Sequence, residues 1–292
     1  MDQIKIIVSK DYKDLSIKEF LKCFNVGRGK IEEIRVNKSC ALNGKITSLE
    51  EVLKENDELV FLLDEKINYE PCNLHLEVCY EDDYLLIVNK PSGMLVHPDD
   101  ESNRTTLVNV VANYYYEKKI FRNVRYVHRI DYDTSGIVIF AKDFLTQGKL
   151  DEMISKHELK RYYLAFCHNK FKNNKGEINL PIGRDRHQNN AYRVGKSSKS
   201  KEAITDYEVI NSYKNYSLAK LLLKTGRTHQ IRVHMSYLNH PLLGDKLYNG
   251  KDDLISRVAL HSYEVKFIHP ITKEYIDVVC KLPVDMERLK ND

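Results

Sequence analysis

Four side chains able to do chemistry crowd into one short stretch: His128, Arg129, Asp131 and Asp133, followed by Thr134-Ser135-Gly136 and then by five apolar residues at 137–141. A polar loop feeding a buried strand holds its side chains rigidly and can turn them toward a ligand. A carboxylate beside an arginine stays ionised, and an ionised carboxylate can serve as a nucleophile or as a base. Asp131 is the first candidate. A kinase catalytic loop has His, Arg and Asp contiguous, whereas Ile130 intervenes here, and neither a G-x-G-x-x-G loop nor a D-F-G follows. Phosphoryl transfer is therefore not indicated. Gly27-Arg28-Gly29-Lys30 lacks the spacing of a phosphate-binding loop and reads as an interhelical turn. His229 and His234 are five apart, not the four that put two ligands on one helical face, and six cysteines occur without any C-x-x-C pair. No metal and no disulfide framework are expected.

The elements that must carry this loop follow from composition and pattern. At 292 residues the chain has room for one large and one small domain. Its net charge of +4 is unevenly spread: residues 1–70 hold 12 basic and 14 acidic side chains, residues 151–250 hold 18 and 9. A polyanion is thus expected on the second half. The N-terminus has no apolar signal core, and no run approaches the ~18 apolar residues of a membrane span. A soluble cytoplasmic protein with reduced thiols, and no membrane partner, is expected.

Weak alternation over 3–9, short helices at 16–24 and 28–36, an Asn43-Gly44 turn and a strand at 57–63 predict a small α+β module over residues 1–66. Residues 67–76 read as a linker and 77–292 as the main domain. There, strands are predicted at 84–89, 124–127, 137–141, 161–167, 203–210, 216–224, 258–268 and 275–282. Helices are predicted at 106–118, at 143–157 and after Thr225-Gly226-Arg227-Thr228, with Arg227, His229, Gln230, Arg232 and His234 near the positive end of the last. Asn173-Asn174-Lys175-Gly176 reads as a loop tip. Residues 183–200, carrying Arg184, Arg186, Arg193, Lys196 and Lys199, lack apolar periodicity and read as a long basic loop. The class is α+β, with a mixed, mostly antiparallel central sheet and flanking helices.

HRIDYDTSG resembles the H-R-L-D-x-x-T-S-G motif of RluA-type pseudouridine synthases, with Ile130 in place of the usual Leu. NKPSGMLVHP (89–98), KRYYLAF (160–166), PIGRD (181–185), TGRTHQIRVHM (225–235), HPLLGDKLY (240–248) and ALHSYEVKFIHP (259–270) resemble that family's further blocks, in order. The resemblance covers about residues 80–290. It implies the pseudouridine synthase fold and isomerisation of uridine within RNA: the sugar–nitrogen bond to the base is broken, the base turns, and a carbon–carbon bond replaces it, without a cofactor.

By matching position, the resemblance makes Asp131 the catalytic carboxylate. Attack on the sugar, attack on the base and removal of a sugar proton all stay open. Tyr163 matches an aromatic residue that stacks on the target base and assists proton transfer, with Tyr162 beside it and Arg161 at the block's usual Lys. Arg227 matches the basic residue that pairs with the catalytic carboxylate. Arg129 matches a residue that fills the gap left by a flipped nucleotide, and His128 would brace the loop. His128, Arg129, Arg161, Arg184, His229, Gln230 and Arg232 are the expected RNA contacts. Asp133 falls at a variable position. The expected substrate is large-subunit ribosomal RNA, with transfer RNA as the other option, and the expected state is a monomer. The N-terminal module weakly resembles a helix-helix-strand RNA-binding domain; a packing or partner-binding module fits its net charge of −2 equally. The competing reading of the whole chain is a non-catalytic RNA-binding or ribosome-assembly factor using the same fold.

Overall fold

The apolar run behind the polar loop becomes an interior strand of a large sheet in the computed structural model, which describes residues 2–100, 102–195 and 197–291. Lys196 lies outside the described residues. Strands β1 (Asp2–Ile7), β2 (Cys40–Leu42), β3 (Lys45–Ile46) and β4 (Glu58–Leu63) form a first sheet ordered β1-β4-β2-β3. Helices α1 (Ile17–Cys23) and α2 (Arg28–Val36) cover it. Ser16 and Glu19 close a capping box at the start of α1, satisfying amides that a helix end leaves free. Phe20, Phe24 and Phe61 fill a core that Phe144 and Leu145 of the main domain complete.

The main sheet is built from β5 (Glu77–Glu81), β6 (Leu85–Lys90), β7 (Arg125–Tyr126), β8 (Ser135–Ala141), β9 (Lys160–His168), β10 (Lys175–Asn179), β13 (Ile204–Ser212), β14 (Tyr216–Leu223), β15 (Leu260–Ile268) and β16 (Tyr275–Val279). Its order is β10-β13-β14-β9-β15-β8-β6-β5, with β16 on β15 and β7 on β8. The β8–β15 pair is parallel and its other pairs are antiparallel, so the expected mixed sheet is present. The remaining elements are α3 (Leu107–Glu117), α4 (Phe144–Ser155), β11 (Ile182–Arg184), β12 (Tyr192–Val194), α5 (Gln230–Tyr237) and α6 (Val284–Glu287).

All seven residues of β8 are buried because both sheet faces are covered. Val138 and Phe140 enter a core shared with α3, β9 and α5, while Ile137, Ile139 and Ala141 enter the one under α4. Successive side chains point to opposite faces, so one strand feeds two cores.

Several expectations change. The segment 183–200 is not a structureless loop: β11 and β12 pair as a basic hairpin. Its strands of three residues are too short to show a period. β5 and α6 also escape the pattern, and β10 already begins at Lys175, inside the expected loop tip. The expected linker has no helix or strand but is tied down, since Asn68 Oδ1 accepts the Val124 amide at 2.7 Å and Asn109 Nδ2 donates to the Glu70 carbonyl at 2.9 Å. Among the described residues no helix is long and apolar enough to cross a membrane.

Candidate active site

The loop between β7 and β8 is clamped from below. His128 is buried, and its Nε2 accepts the Ile139 amide at 3.4 Å. Burial, reinforced by the charge of Arg161, pulls its pKa down to about 3, so the ring is neutral near neutral pH. The fully buried Lys90 ammonium donates to the carbonyls of Pro91 (2.8 Å), Met94 (2.6 Å) and Tyr132 (3.2 Å). Burial brings it down to about 7, against the opposing charges of Asp131 and Asp133. Ser92 Oγ and Arg257 Nη1 donate to the Asp133 carbonyl at 2.7 and 3.3 Å. With its backbone so occupied, the loop has little freedom at Asp131.

Gly136 explains the end of the motif. It sits at φ +109°, and a Cβ there would lie 2.2 Å from the Ser262 carbonyl oxygen of β15. Only glycine lets the parallel strands meet so closely, one step beyond the polar loop. The neighbouring Ser135 Oγ lies 2.9 Å from Nδ1 of His261, a ring whose pKa burial lowers to about 4.

Asp131 faces a cleft of about 640 Å3. Its Oδ2 lies 3.6 Å from Arg232 Nη1 and 4.0 Å from His229 Nε2. Arg232 is itself aimed from behind: its Nε and Nη2 donate to the two oxygens of Asp245, both at 2.8 Å, and Asp245 is 1% exposed. A bidentate pair fixes the plane of the guanidinium. Burial lowers the pKa of His229, which therefore stands neutral. Its backbone is left-handed, with φ 56° and ψ 22°, a conformation that costs a non-glycine residue about 1–3 kcal/mol and is found preferentially at functional sites. Among the described residues lining the cleft, Asp131 is the one carboxylate, set among Arg129, Arg161, Lys224, Arg227 and Arg232. Such a cleft attracts a polyanion and presents a single acid group to it.

The sequence candidates fall into place unevenly. Asp131, His128, Arg129, Arg161, Tyr163, Arg227, His229, Gln230 and Arg232 all line this cleft; Arg184, exposed on β11, does not. Of the two adjacent tyrosines, Tyr163 lines the cleft and is buried, and burial raises its hydroxyl pKa, so it keeps its proton. Tyr162 points to the other face, its ring 4.5 Å from Lys220 Nζ.

The expected partner of Asp131 requires correction: it is Arg232, not Arg227. Arg227 is exposed, and its Nε is drawn to the Glu202 carbonyl at 2.8 Å. Gln230 is also not free for RNA. Its Oε1 accepts from Thr225 Oγ1 (2.8 Å) and the Arg227 amide (3.0 Å), and its Nε2 donates to Ile204 O (3.0 Å) and Thr205 Oγ1 (2.9 Å). All four of its hydrogen-bonding positions are internal, so it braces the turn. Arg161 is 5% exposed, with its Nε buried and unpartnered. Arg129 is exposed and lies 3.5 Å from His97, which stacks on Tyr126 at 5.1 Å between centroids. Lys90, Asp245, Tyr248 and His261 were not singled out, although the blocks NKPSG, GDKLY and ALHSY contain them.

A basic cleft with one carboxylate among its described lining residues, on a loop of a mixed sheet, suits an enzyme that acts on nucleic acid. Residues 84–237 match the family model for RNA pseudouridylate synthase, and residues 4–59 match that for the RluD ribosomal pseudouridine synthase N-terminal domain. The chain is 40% identical over 262 residues to the uncharacterized RNA pseudouridine synthase YhcT of Bacillus subtilis, covering 88% of this chain and 84% of that protein. It is 32% identical over 310 residues to ribosomal large subunit pseudouridine synthase D of Haemophilus ducreyi, covering 100% of this chain and 91% of that protein. Among solved structures, human RNA pseudouridylate synthase domain containing 1 superposes with a TM-score of 0.59 at 25% identity, over 72% of this chain and 84% of that one. The chain belongs to the RNA pseudouridylate synthase family. It is an isomerase that converts uridine in RNA to pseudouridine.

Proposed function

We propose that Asp131 is the catalytic carboxylate, that Tyr163 stacks on the target uracil, and that Arg232 holds the Asp131 charge in place. The observation that carries this reading is a carboxylate, the one among the described lining residues, on the wall of a cleft with four arginines and a lysine, 3.6 Å from an arginine already pinned by Asp245. The non-catalytic alternative is disfavoured by the same geometry, because a protein that only bound RNA would gain nothing from a carboxylate facing phosphates. A uridine reaches Asp131 only after leaving its stack, at a cost of a few kcal/mol that RNA contacts must supply. Arg129, exposed at the cleft mouth, is suited to fill the vacated position.

The substrate we propose is large-subunit ribosomal RNA, supported by the name of the Haemophilus ducreyi relative and by the N-terminal match. We take residues 1–66 as a distinct module, 67–76 as its tie and 77–292 as the catalytic domain, acting as a cytoplasmic monomer. The separate four-stranded sheet supports the division. The deciding experiment incubates purified protein with unmodified large-subunit ribosomal RNA and transfer RNA and maps pseudouridine, beside Asp131→Asn. Wild type should modify ribosomal RNA and Asp131→Asn should bind it without modifying it. An active Asp131→Asn removes the catalytic assignment, and modification of transfer RNA alone removes the substrate assignment.

A further inference from the structure

One hydroxyl group joins the basic hairpin to the imidazole that faces Asp131. Tyr248 ends the short 3-10 turn Lys246–Tyr248 and is 7% exposed. Its oxygen accepts the backbone amide of Tyr192, on β12, at 2.9 Å and lies 2.8 Å from Nδ1 of His229. The Tyr248 ring meanwhile sits beneath Arg232, with the guanidinium carbon 5.1 Å from its centroid. Tyr192 and Tyr248 both pack edge-on against the His229 ring, each at 5.7 Å. The phenol thus touches the hairpin that carries Arg184 and Arg193, the imidazole beside Asp131 and the arginine beside Asp131.

The hydrogen bonds have a direction. With its oxygen accepting the Tyr192 amide, the Tyr248 proton is free for His229 Nδ1, and a neutral imidazole then carries its own proton on Nε2. That Nε2–H faces Asp131 Oδ2 across 4.0 Å, about 1 Å too long for a hydrogen bond. Contacts of this kind often tighten only when substrate is bound.

We propose that Tyr248 is a positioning residue that couples the seating of RNA on the β11–β12 hairpin to the aim of Asp131. RNA seated on the hairpin would act on His229 through the Tyr192–Tyr248–His229 contacts, and the step it would have to promote is closure of the 4.0 Å gap to the carboxylate. This rests on the reading of Asp131 as the catalytic group.

Tyr248→Phe tests the coupling, since it keeps the ring under Arg232 and deletes only the hydroxyl. Single-turnover pseudouridine formation is measured at saturating RNA, on whichever unmodified transcript the wild type modifies, with Kd from filter binding and Tm as a check on folding. The expected result is a rate lower by ~10–50-fold with Kd within ~3-fold, the pattern of an interaction used in the transition state. His229→Gln should show the same split, and the double variant should be no slower than the worse single one, because residues in one chain of contacts do not add. A Tyr248→Phe rate equal to wild type, an equal loss in rate and affinity, or multiplying losses in the double variant each overturn the coupling. Asp131→Asn, run in parallel, separates the two levels: an active Asp131→Asn removes the catalytic reading, whereas an inactive one beside a fully active Tyr248→Phe removes the coupling alone.

Discussion

Two arginines in the same short motif have opposite surroundings, and their variants should differ accordingly. Arg232 is 6% exposed and shared between Asp245 and Asp131, whereas Arg227 is exposed and bonded to a carbonyl. Arg232→Met should lower single-turnover pseudouridine formation by ~10²–10³-fold, as expected for loss of a preorganised charge in a closed site. Arg227→Ala should cost less than ~10-fold, expressed mainly as weaker RNA binding at raised salt. A larger rate loss for Arg227→Ala than for Arg232→Met would reverse the assignment. Asp245 offers a stability counterpart. Removing one member of a buried ion pair strands the other, so Asp245→Ala should lower unfolding free energy by about 3–5 kcal/mol in urea titrations. Motif matching picked out Asp131 and Tyr163, which both line the cleft, but it placed the arginine beside Asp131 at 227 rather than 232. Which of two cations five residues apart meets a distant loop depends on how α5 is seated, and Gln230 decides that through bonds to β13 that have no linear signature.

At the scale of elements, β8 and the loop before it are held by neutral buried histidines, which makes the site sensitive to acid. The folded-state pKa values of His128 and His261 lie at about 3 and about 4, below the ~6.5 of an unfolded histidine. The unfolded chain therefore takes up protons first. The stability these rings confer is complete above ~6.5 and is lost as pH falls from there toward 4. The urea midpoint should drop across that window, and His261→Asn should flatten the drop between about pH 6.5 and 5, where ordinary carboxylates scarcely titrate. An unchanged slope would exclude His261 as a contributor. Gly136→Ala should lower the urea midpoint more than His261→Asn, because its Cβ meets backbone, which cannot give way as a flexible side chain would. Helix α3 was legible because burial imposes a helical period on its apolar residues, and β8 because burial on both faces leaves an unbroken apolar run. The β11–β12 hairpin was not, because three residues per strand hold no period and its order comes from Tyr192 and Tyr248, 56 positions apart.

For the molecule as a whole, charge and docking assign different work to the two parts. The N-terminal module is fastened rather than tethered. Phe61 packs edge-on against Phe144 at 5.8 Å, Asp2 takes a bidentate bond from Arg122, and Asn25 Nδ2 donates to the Gly148 carbonyl at 3.2 Å. A Cβ at Gly148 would lie 2.3 Å from the Phe24 carbonyl oxygen, so α4 and the module touch backbone to backbone. Gly148→Val should therefore loosen the module and lower Tm by several degrees, as a loss of about 1–3 kcal/mol does in a chain of this size. RNA affinity should follow the charge instead. Residues 1–70 are net −2, while the hairpin presents Arg184, Arg186 and Arg193 to solvent. Each phosphate contact contributes roughly 0.7–0.9 to the slope of log K against log salt. Replacing those three arginines together by Gln should reduce that slope by about 2–3 and weaken binding at low salt, whereas Lys18→Gln, Lys22→Gln and Lys38→Gln in the module should leave it within about 0.5 of wild type. A slope that falls with the module lysines and not with the hairpin arginines would place the RNA on the N-terminal module, and the basic second half would then need another explanation.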